Sequence, residues 1–268
     1  MAATERETPA TVTEPAAMPF VAPCHRLDPQ APFRWLGKGW ADLKRAPRQS
    51  LTYGVVIVIL SYLITVLAWQ LGTLALLLGV VSGFVFLGPV LAIGLYSISC
   101  QLQLGRAPQL GYCLREGRRH LGNVLIFAMI LTVVFLIWAR AASMVHIFFP
   151  TEGETGWRPL LAFLGIGSLI GSIFAAVIFI ASAFSLPMIM DRKVDVVTAI
   201  ITSANAVLRN KVPMLLWAAI IAASVAAGVL TAYLAFIVLI PLIGHATWHA
   251  YKETIVADDW PRHAERAS

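Results

Sequence analysis

Long apolar segments alternate with short basic segments along the chain, and this pattern predicts a helical membrane protein. Four apolar blocks cover residues 51–100, 121–149, 160–190 and 213–248. About 20 apolar residues are needed to cross the hydrocarbon core of a bilayer, so the first and last blocks are each predicted to contain two spans. The predicted fold class is all-α, with six transmembrane helices at about 51–69, 74–100, 121–149, 160–190, 213–227 and 229–248.

The two ends of the chain differ from the membrane domain in composition. Residues 1–24 are rich in Pro, Ala and Glu, and they are predicted to form a disordered N-terminal tail. They lack the basic start and apolar run of a signal peptide, so the first span is expected to direct insertion. The six-span membrane domain is predicted at 25–255, followed by a short cytoplasmic tail at 256–268.

Lys and Arg are concentrated on one side of the predicted topology. They precede span one, separate span two from three and four from five, and follow span six, whereas the opposite loops contain only Arg158. Cytoplasmic loops carry the excess of Lys and Arg, so both termini are predicted to be cytoplasmic. The same distribution makes anionic lipids at the cytoplasmic face the expected partner, and it argues against nucleic acid.

The basic segments also have helical amphipathic patterns. Phe33, Leu36, Trp40 and Leu43 recur on one helical face before span one, with Trp35 and Trp40 as expected anchors at the membrane interface. A similar apolar stripe precedes span five at Val194, Val197, Ile201 and Leu208. Both segments are predicted to be interfacial amphipathic helices.

Three of the basic segments share a residue spacing that indicates an internal repeat. In the first segment Asp42 lies three residues before Arg45, and Leu51 lies six residues after it. The other two segments repeat this spacing, with Ala in place of the acid in the last: Glu116, Arg119, Leu125 and Ala206, Arg209, Leu215. The predicted architecture is three units, each an amphipathic helix followed by a membrane hairpin. The alternative is chance similarity between basic membrane entries.

Two stretches of the sequence resemble a known family. Residues 32–54 (PFRWLGKGWADLKRAPRQSLTYG) and 88–96 (GPVLAIGLY) are similar to motifs of bacterial predicted integral membrane proteins grouped as domain of unknown function family 2189. The resemblance covers roughly residues 25–255. It implies six spans and a bacterial inner (plasma) membrane, and it implies no activity. Some members carry labels that link them to cytochrome oxidase, so an oxidase-linked assembly or accessory role is one alternative.

The polar residues offer little chemistry. The predicted spans contain no Asp or Glu, although such residues usually mark ion and proton pathways. No motif of a known enzyme class is present, so neither catalytic residues nor a cofactor are expected. The favoured function is a non-catalytic structural, lipid-interacting or complex-accessory role. A transporter or channel for a small solute or lipid is the main alternative, because the spans contain kinks.

Several side chains are candidates for binding. Arg140 lies near the outer end of span three, where it either extends to the interface or binds an anion or lipid headgroup. The Arg residues at the three membrane entries could make similar contacts: Arg45, Arg119 and Arg209. His245 and His249 are one helical turn apart, so they are weak candidates for a metal site. They are more simply explained as polar residues at the interface.

Small residues and prolines predict how the spans pack. Two GxxxG motifs, at Gly79 and Gly83 and at Gly167 and Gly171, favour close helix packing within the chain or in a homo-oligomer. Helix kinks are expected at three prolines of the second spans: Pro89, Pro187 and Pro241. A membrane-protein partner is a further possibility that the sequence leaves open.

Overall fold

A computed structural model describes residues 19–71, 91–119, 121–148 and 157–262. The regular elements of this part of the chain are helices, and two isolated β-bridges join Cys24 to Ile255 and Arg192 to Arg262. The helices are α1 (Ala31–Arg45), α2 (Pro47–Leu71), α3 (described over 91–103), α4 (Leu110–Arg119), α5 (Leu121–Phe148), α6 (Trp157–Ser182), α7 (Ser185–Asp191), α8 (Val196–Arg209), α9 (Lys211–Leu230) and α10 (Phe236–Thr254).

Within the described residues, four helical segments are long and apolar enough to cross a membrane. They are Pro47–Leu67, Leu121–Met144, Gly165–Asp191 and Lys211–Leu230, and they correspond to predicted spans one, three, four and five. Predicted span two lies mostly outside the described residues, although residues 91–100 are helical. Predicted span six corresponds to α10, which is not among the four because its second half carries several polar side chains.

The turn between the last two long helices lies further along the chain than the sequence predicted. The predicted turn was near Gly228, but α9 continues to Leu230 and the chain reverses over 231–235, where Ala232 and Tyr233 have φ values of 48° and 71°. Gly228 has a packing role instead, because a Cβ there would lie 1.9 Å from the ring of Phe236. Gly228 is therefore a packing glycine and not a turn glycine.

Each of three amphipathic helices is separated from the following long helix by a single residue. Ala46 lies between α1 and α2, residue 120 between α4 and α5, and Asn210 between α8 and α9. The three amphipathic helices end at Arg45, Arg119 and Arg209, which are the Arg residues of the repeated spacing.

The chain segments next to the two termini pack together on one end of the helices. The amide of Val256 donates to Pro23 O at 2.9 Å, and the amide of Ala22 donates to Thr202 Oγ1 at 3.1 Å. Ala22 is fully buried and Trp260 is almost so. The disorder predicted for residues 1–24 therefore does not hold for residues 19–24, because their backbone is bonded to α8 and to the C-terminal segment.

The buried face of α1 differs from the predicted apolar stripe. Trp35 is fully buried and packs edge-on against Trp217, with ring centroids 5.5 Å apart, so it is not an interface anchor. Leu43 is also buried, whereas Phe33 and Trp40 are 58% and 45% exposed. The pattern of apolar residues could not reveal that the face of α1 packed against α9 and α10 includes polar and small residues as well as apolar ones.

Candidate functional site

Helix α10 is central to the part of the protein that carries the candidate site. Pro241 has no amide hydrogen, so Ile237 O lacks the donor four residues later that it would have in a regular helix. Gly54 of α2 packs directly on this carbonyl, because a Cβ on Gly54 would lie only 2.1 Å from Ile237 O. The predicted kink residue and an unpredicted packing glycine therefore meet at one point.

One turn further along α10, His245 is fully buried between α2 and α3. Its Nε2 lies 2.8 Å from Ser50 Oγ and its Nδ1 lies 2.8 Å from Ser99 Oγ. Both ring nitrogens are therefore occupied by hydroxyl groups, with one nitrogen donating and the other accepting in the neutral ring. This arrangement ties three helices together through a single side chain.

His249 belongs to a second polar chain that connects α1, α3 and α10. Trp248 Nε1 donates to Gln103 Oε1 at 3.0 Å, and Gln103 Nε2 lies 3.4 Å from His249 Nδ1. His249 Nε2 in turn lies 2.7 Å from a carboxylate oxygen of Asp42, which is almost fully buried. The Gln103 amide donates along this chain, so the network assigns the imidazole proton to Nε2, facing Asp42.

The two histidines therefore bind different partners. No group of three or more His, Cys, Asp or Glu side chains suited to a metal ion occurs among the described residues. A metal shared by His245 and His249 would have to replace the hydrogen bonds that each imidazole already makes. The geometry explains both residues as parts of helix–helix contacts.

A third polar cluster holds the C-terminal segment over the end of α7. Asp191 is buried and accepts hydrogen bonds from the Tyr251 hydroxyl at 2.9 Å and from Lys252 Nζ at 3.3 Å. Arg192 donates to Trp260 O at 2.8 Å. Burial raises the pKa of Tyr251 well above its ordinary value, and the neighbouring Asp191 carboxylate raises it further. The hydroxyl therefore keeps its proton.

The fourth predicted span is interrupted near its C-terminal end. Helix α6 ends at Ser182 and α7 begins at Ser185. Ser203 of α8 is placed at this break, where its Oγ accepts from the amide of Phe184 at 3.1 Å and donates to Ile180 O at 2.8 Å. Pro187 lies in the first turn of α7, where a missing amide hydrogen costs little, so the break lies just before the predicted kink residue.

The candidate cations are exposed where their side chains are described. Arg140 is exposed in the second half of α5, and Arg45 and Arg209 are exposed at the ends of α1 and α8. Arg119 is the last residue of α4. Arg209 also lines an open groove of about 400 Å³ together with Arg26 and Lys211.

Apolar side chains lie exposed beside these cations. On α8, Val197 and Leu208 are 55% and 54% exposed, whereas Ala199 and Ser203 on the opposite face are fully buried. Helix α1 has the same arrangement, with Phe33 exposed and Gly39 buried. Both helices thus expose large apolar side chains on the face that points away from the bundle.

The predicted GxxxG contacts are not where the closest packing occurs. A Cβ on Gly167 would meet no described atom within 4 Å, and one on Gly171 would meet only Trp138 Nε1, at 3.8 Å. Gly79, Gly83 and Pro89 lie outside the described residues. The close approaches occur instead at five glycines that the spacing rule did not select: Gly39, Gly54, Gly94, Gly228 and Gly244.

The fold and its apolar helices define an integral membrane protein of the all-helical class. Residues 76–191 match the model of a family described as "Predicted integral membrane protein (DUF2189)", so the resemblance inferred from the sequence is confirmed for these residues. This match includes the second quoted motif, at 88–96, and lies outside the first, at 32–54. No curated protein and no solved structure matches the chain.

Proposed function

We propose that the protein is a non-catalytic component of a bacterial inner membrane, with both termini in the cytoplasm and a structural, lipid-interacting or complex-accessory role. The observation that carries this proposal is the surface formed by α1, α8 and the start of α9. There, exposed apolar side chains and exposed cations occur on the same helices, Phe33 with Arg45 on α1 and Leu208 with Arg209 on α8, next to Lys211 at the start of α9. An apolar face flanked by Lys and Arg is the pattern of a helix at an anionic membrane surface.

The proposed architecture is six spans in three units, with residues 236–248 of α10 in the sixth span. The repeat of three units is supported by buried residues at the same distances from the repeated Arg in each unit. Gly39, Cys113 and Ser203 each lie six residues before the repeated Arg, and all three are buried. Eight residues after that Arg, each unit has a buried aromatic side chain: Tyr53, Phe127 and Trp217. Chance similarity between basic membrane entries gives no reason for matching burial at these positions.

The contacts of the three small residues also support a ring of units. A Cβ on Gly39 would lie 2.9 Å from Leu242 O and 2.8 Å from Ala246 N, two atoms one turn apart on α10. Ser203 Oγ meets the corresponding atoms of Ile180 and Phe184, also one turn apart.

Cys113 contacts the second span of unit one through the side chain of Gln101. Cys113 Sγ accepts from Gln101 Nε2 at 3.4 Å, and that nitrogen also lies 3.3 Å from Ser97 O. Each amphipathic helix therefore packs on the second span of another unit. Unit one packs on unit three, unit two on unit one, and unit three on unit two.

Lipid selectivity in reconstituted vesicles tests the lipid role. The purified protein is reconstituted in phosphatidylcholine vesicles with spin-labelled phosphatidylglycerol or spin-labelled phosphatidylcholine, and the immobilised lipid fraction is measured by electron paramagnetic resonance. We expect a preference for the anionic label that weakens in about 0.5 M salt, because salt screens exposed charges. Equal immobilisation of the two labels at low salt would exclude the lipid role.

A transporter or channel is the second candidate, favoured by the break between α6 and α7 within an apolar segment. Discontinuous membrane helices form solute and ion sites in many transporters. However, Ser203 already satisfies backbone groups on both sides of this break. Solute flux into vesicles that contain the protein, absent from protein-free vesicles, would favour this candidate over the first.

A further inference from the structure

An open groove lies at the junction of α8 and α9, where the N-terminal segment crosses it. Three cations line it, each from a different element: Arg26 from the N-terminal segment, Arg209 from the end of α8 and Lys211 from the start of α9. All three are exposed, and none forms an ion pair with an acidic side chain in the described part of the chain. The groove volume of about 400 Å³ is large enough for a phosphate group and its substituents.

Asn210 holds the groove in shape. Its Oδ1 accepts from the amide of Leu27 at 2.8 Å, and its Nδ2 donates to His25 O at 3.1 Å. Both neighbours of Arg26 are therefore fixed to the α8–α9 junction, so Arg26 is held at the same junction as the other two cations. Asn210 is 4% exposed and makes no capping hydrogen bond to α9. The amides of Lys211 and Val212, the first two residues of α9, thus receive no side-chain cap, and uncapped amides at a helix start favour an anion.

The surroundings of the groove indicate where an anion would come from. Val212 and Leu208 line the groove and are 64% and 54% exposed, and Leu215 one turn further along α9 is 74% exposed. These apolar side chains continue into Lys211–Leu230, one of the four segments able to cross a membrane. A phospholipid has a phosphate for the cations and acyl chains for the adjoining apolar surface. A free phosphate compound would contact only the cations and would leave the apolar surface unoccupied.

We infer that this groove is a binding site for the phosphate headgroup of an anionic phospholipid from the cytoplasmic leaflet. The inference rests on the proposed function and makes it specific, because it assigns the lipid preference mainly to Arg26, Arg209 and Lys211. The groove fixes one headgroup at the first turn of α9, in addition to any diffuse attraction between the membrane and the other exposed cations.

Two variants with the same loss of charge test the site. The first carries Arg26→Gln, Arg209→Gln and Lys211→Gln. The control carries three substitutions of exposed cations outside the groove: Lys44→Gln, Arg48→Gln and Lys193→Gln. Both are reconstituted in phosphatidylcholine vesicles with spin-labelled phosphatidylglycerol, after gel filtration and thermal unfolding have shown that they fold. Each cation near an anionic surface contributes roughly fivefold to binding, so we expect at least a tenfold loss of lipid preference in the groove variant.

The outcomes separate the site from the proposed function. A much smaller loss in the control than in the groove variant supports the groove. Equal losses in the two variants would leave the basic surface in place but overturn the specific site. If the wild-type protein has no preference for the anionic label, the proposed function fails as well. Displacement of the labelled lipid by inorganic phosphate alone would show that the groove binds free phosphate, which would contradict the lipid assignment.

Discussion

Substitution of Gly54 by Ala tests the contact between α2 and α10. A Cβ at this position would lie 2.1 Å from Ile237 O and 2.7 Å from Ile237 C and Cα. All three are backbone atoms, so a side-chain rotation cannot relieve the overlap. Ordinary contacts need about 3.4 Å or more, and α2 and α10 would have to separate by about 1 Å.

Two opposing effects set the size of the change. Overpacking in a well-packed interior typically costs about 1–3 kcal/mol. Replacing Gly by Ala in a helix returns up to about 1 kcal/mol, because the unfolded chain loses conformational freedom. The overlap involves rigid backbone on both helices, so we expect the cost to exceed the gain. The expected net loss in the free energy of unfolding is about 1–2 kcal/mol.

The assay is a titration of the detergent-solubilised protein with denaturing detergent, followed by loss of helical signal. The matched control is Gly167→Ala on α6, where a Cβ would meet no described atom within 4 Å. We expect the control to be as stable as the wild type or slightly more stable, and Gly54→Ala to unfold at a clearly lower denaturant fraction. If the two variants unfold together, the tight contact at Ile237 does not exist.

Three other perturbations have expected results. Gly39→Ala should destabilise the protein, because its Cβ would lie 2.8 Å from a backbone atom of α10. Gly37→Ala should not, because a Cβ there would have no neighbour within 4 Å. Thermal unfolding compares the two variants. His245→Leu should cost about 1–3 kcal/mol by leaving two buried hydroxyls without their partner, and replacing both serines by Ala in the same chain should restore part of this loss. Burial raises the pKa of Glu253, but hydrogen bonds from α1 outweigh it and keep the pKa below its ordinary value. The stabilisation that ionised Glu253 gives through these hydrogen bonds is therefore complete above about pH 4.5, and it disappears as the pH falls through the lowered pKa. Glu253→Gln should therefore flatten the acid side of a profile of the free energy of unfolding against pH.

The sequence predicted the features that depend on local pattern. Runs of apolar residues place α2, α5 and α9 to within four residues, because a membrane span requires a long apolar helix. Predicted span four, at 160–190, covers α6 and α7 together, and the break between them was not predicted. The repeated spacing around Arg45, Arg119 and Arg209 marks the three helix junctions, because each basic residue ends an amphipathic helix just before a membrane entry.

The sequence could not predict features that depend on distant partners. Ser50 and His245 are 195 residues apart, and Ser99 and His245 are 146 apart, so no local pattern connects them. The close-packing role of Gly54 depends on the carbonyl that Pro241 leaves free, and no spacing rule within α2 contains that information. The sequence predicts Trp35 at the membrane interface. Its burial could not be predicted, because its partner Trp217 lies on a helix far along the chain.

Labelling of single cysteines in intact cells tests the three-hairpin architecture most directly. Cys24, Cys100 and Cys113 are replaced by Ala, and one cysteine is introduced either as Ala232→Cys in the exposed 231–235 turn or as Lys44→Cys on α1. If α9 and α10 both cross the membrane and the termini are cytoplasmic, a membrane-impermeant maleimide added outside will label position 232 at once and position 44 only after permeabilisation. Protection of position 232 in intact cells, or labelling of position 44 from outside, would contradict the account.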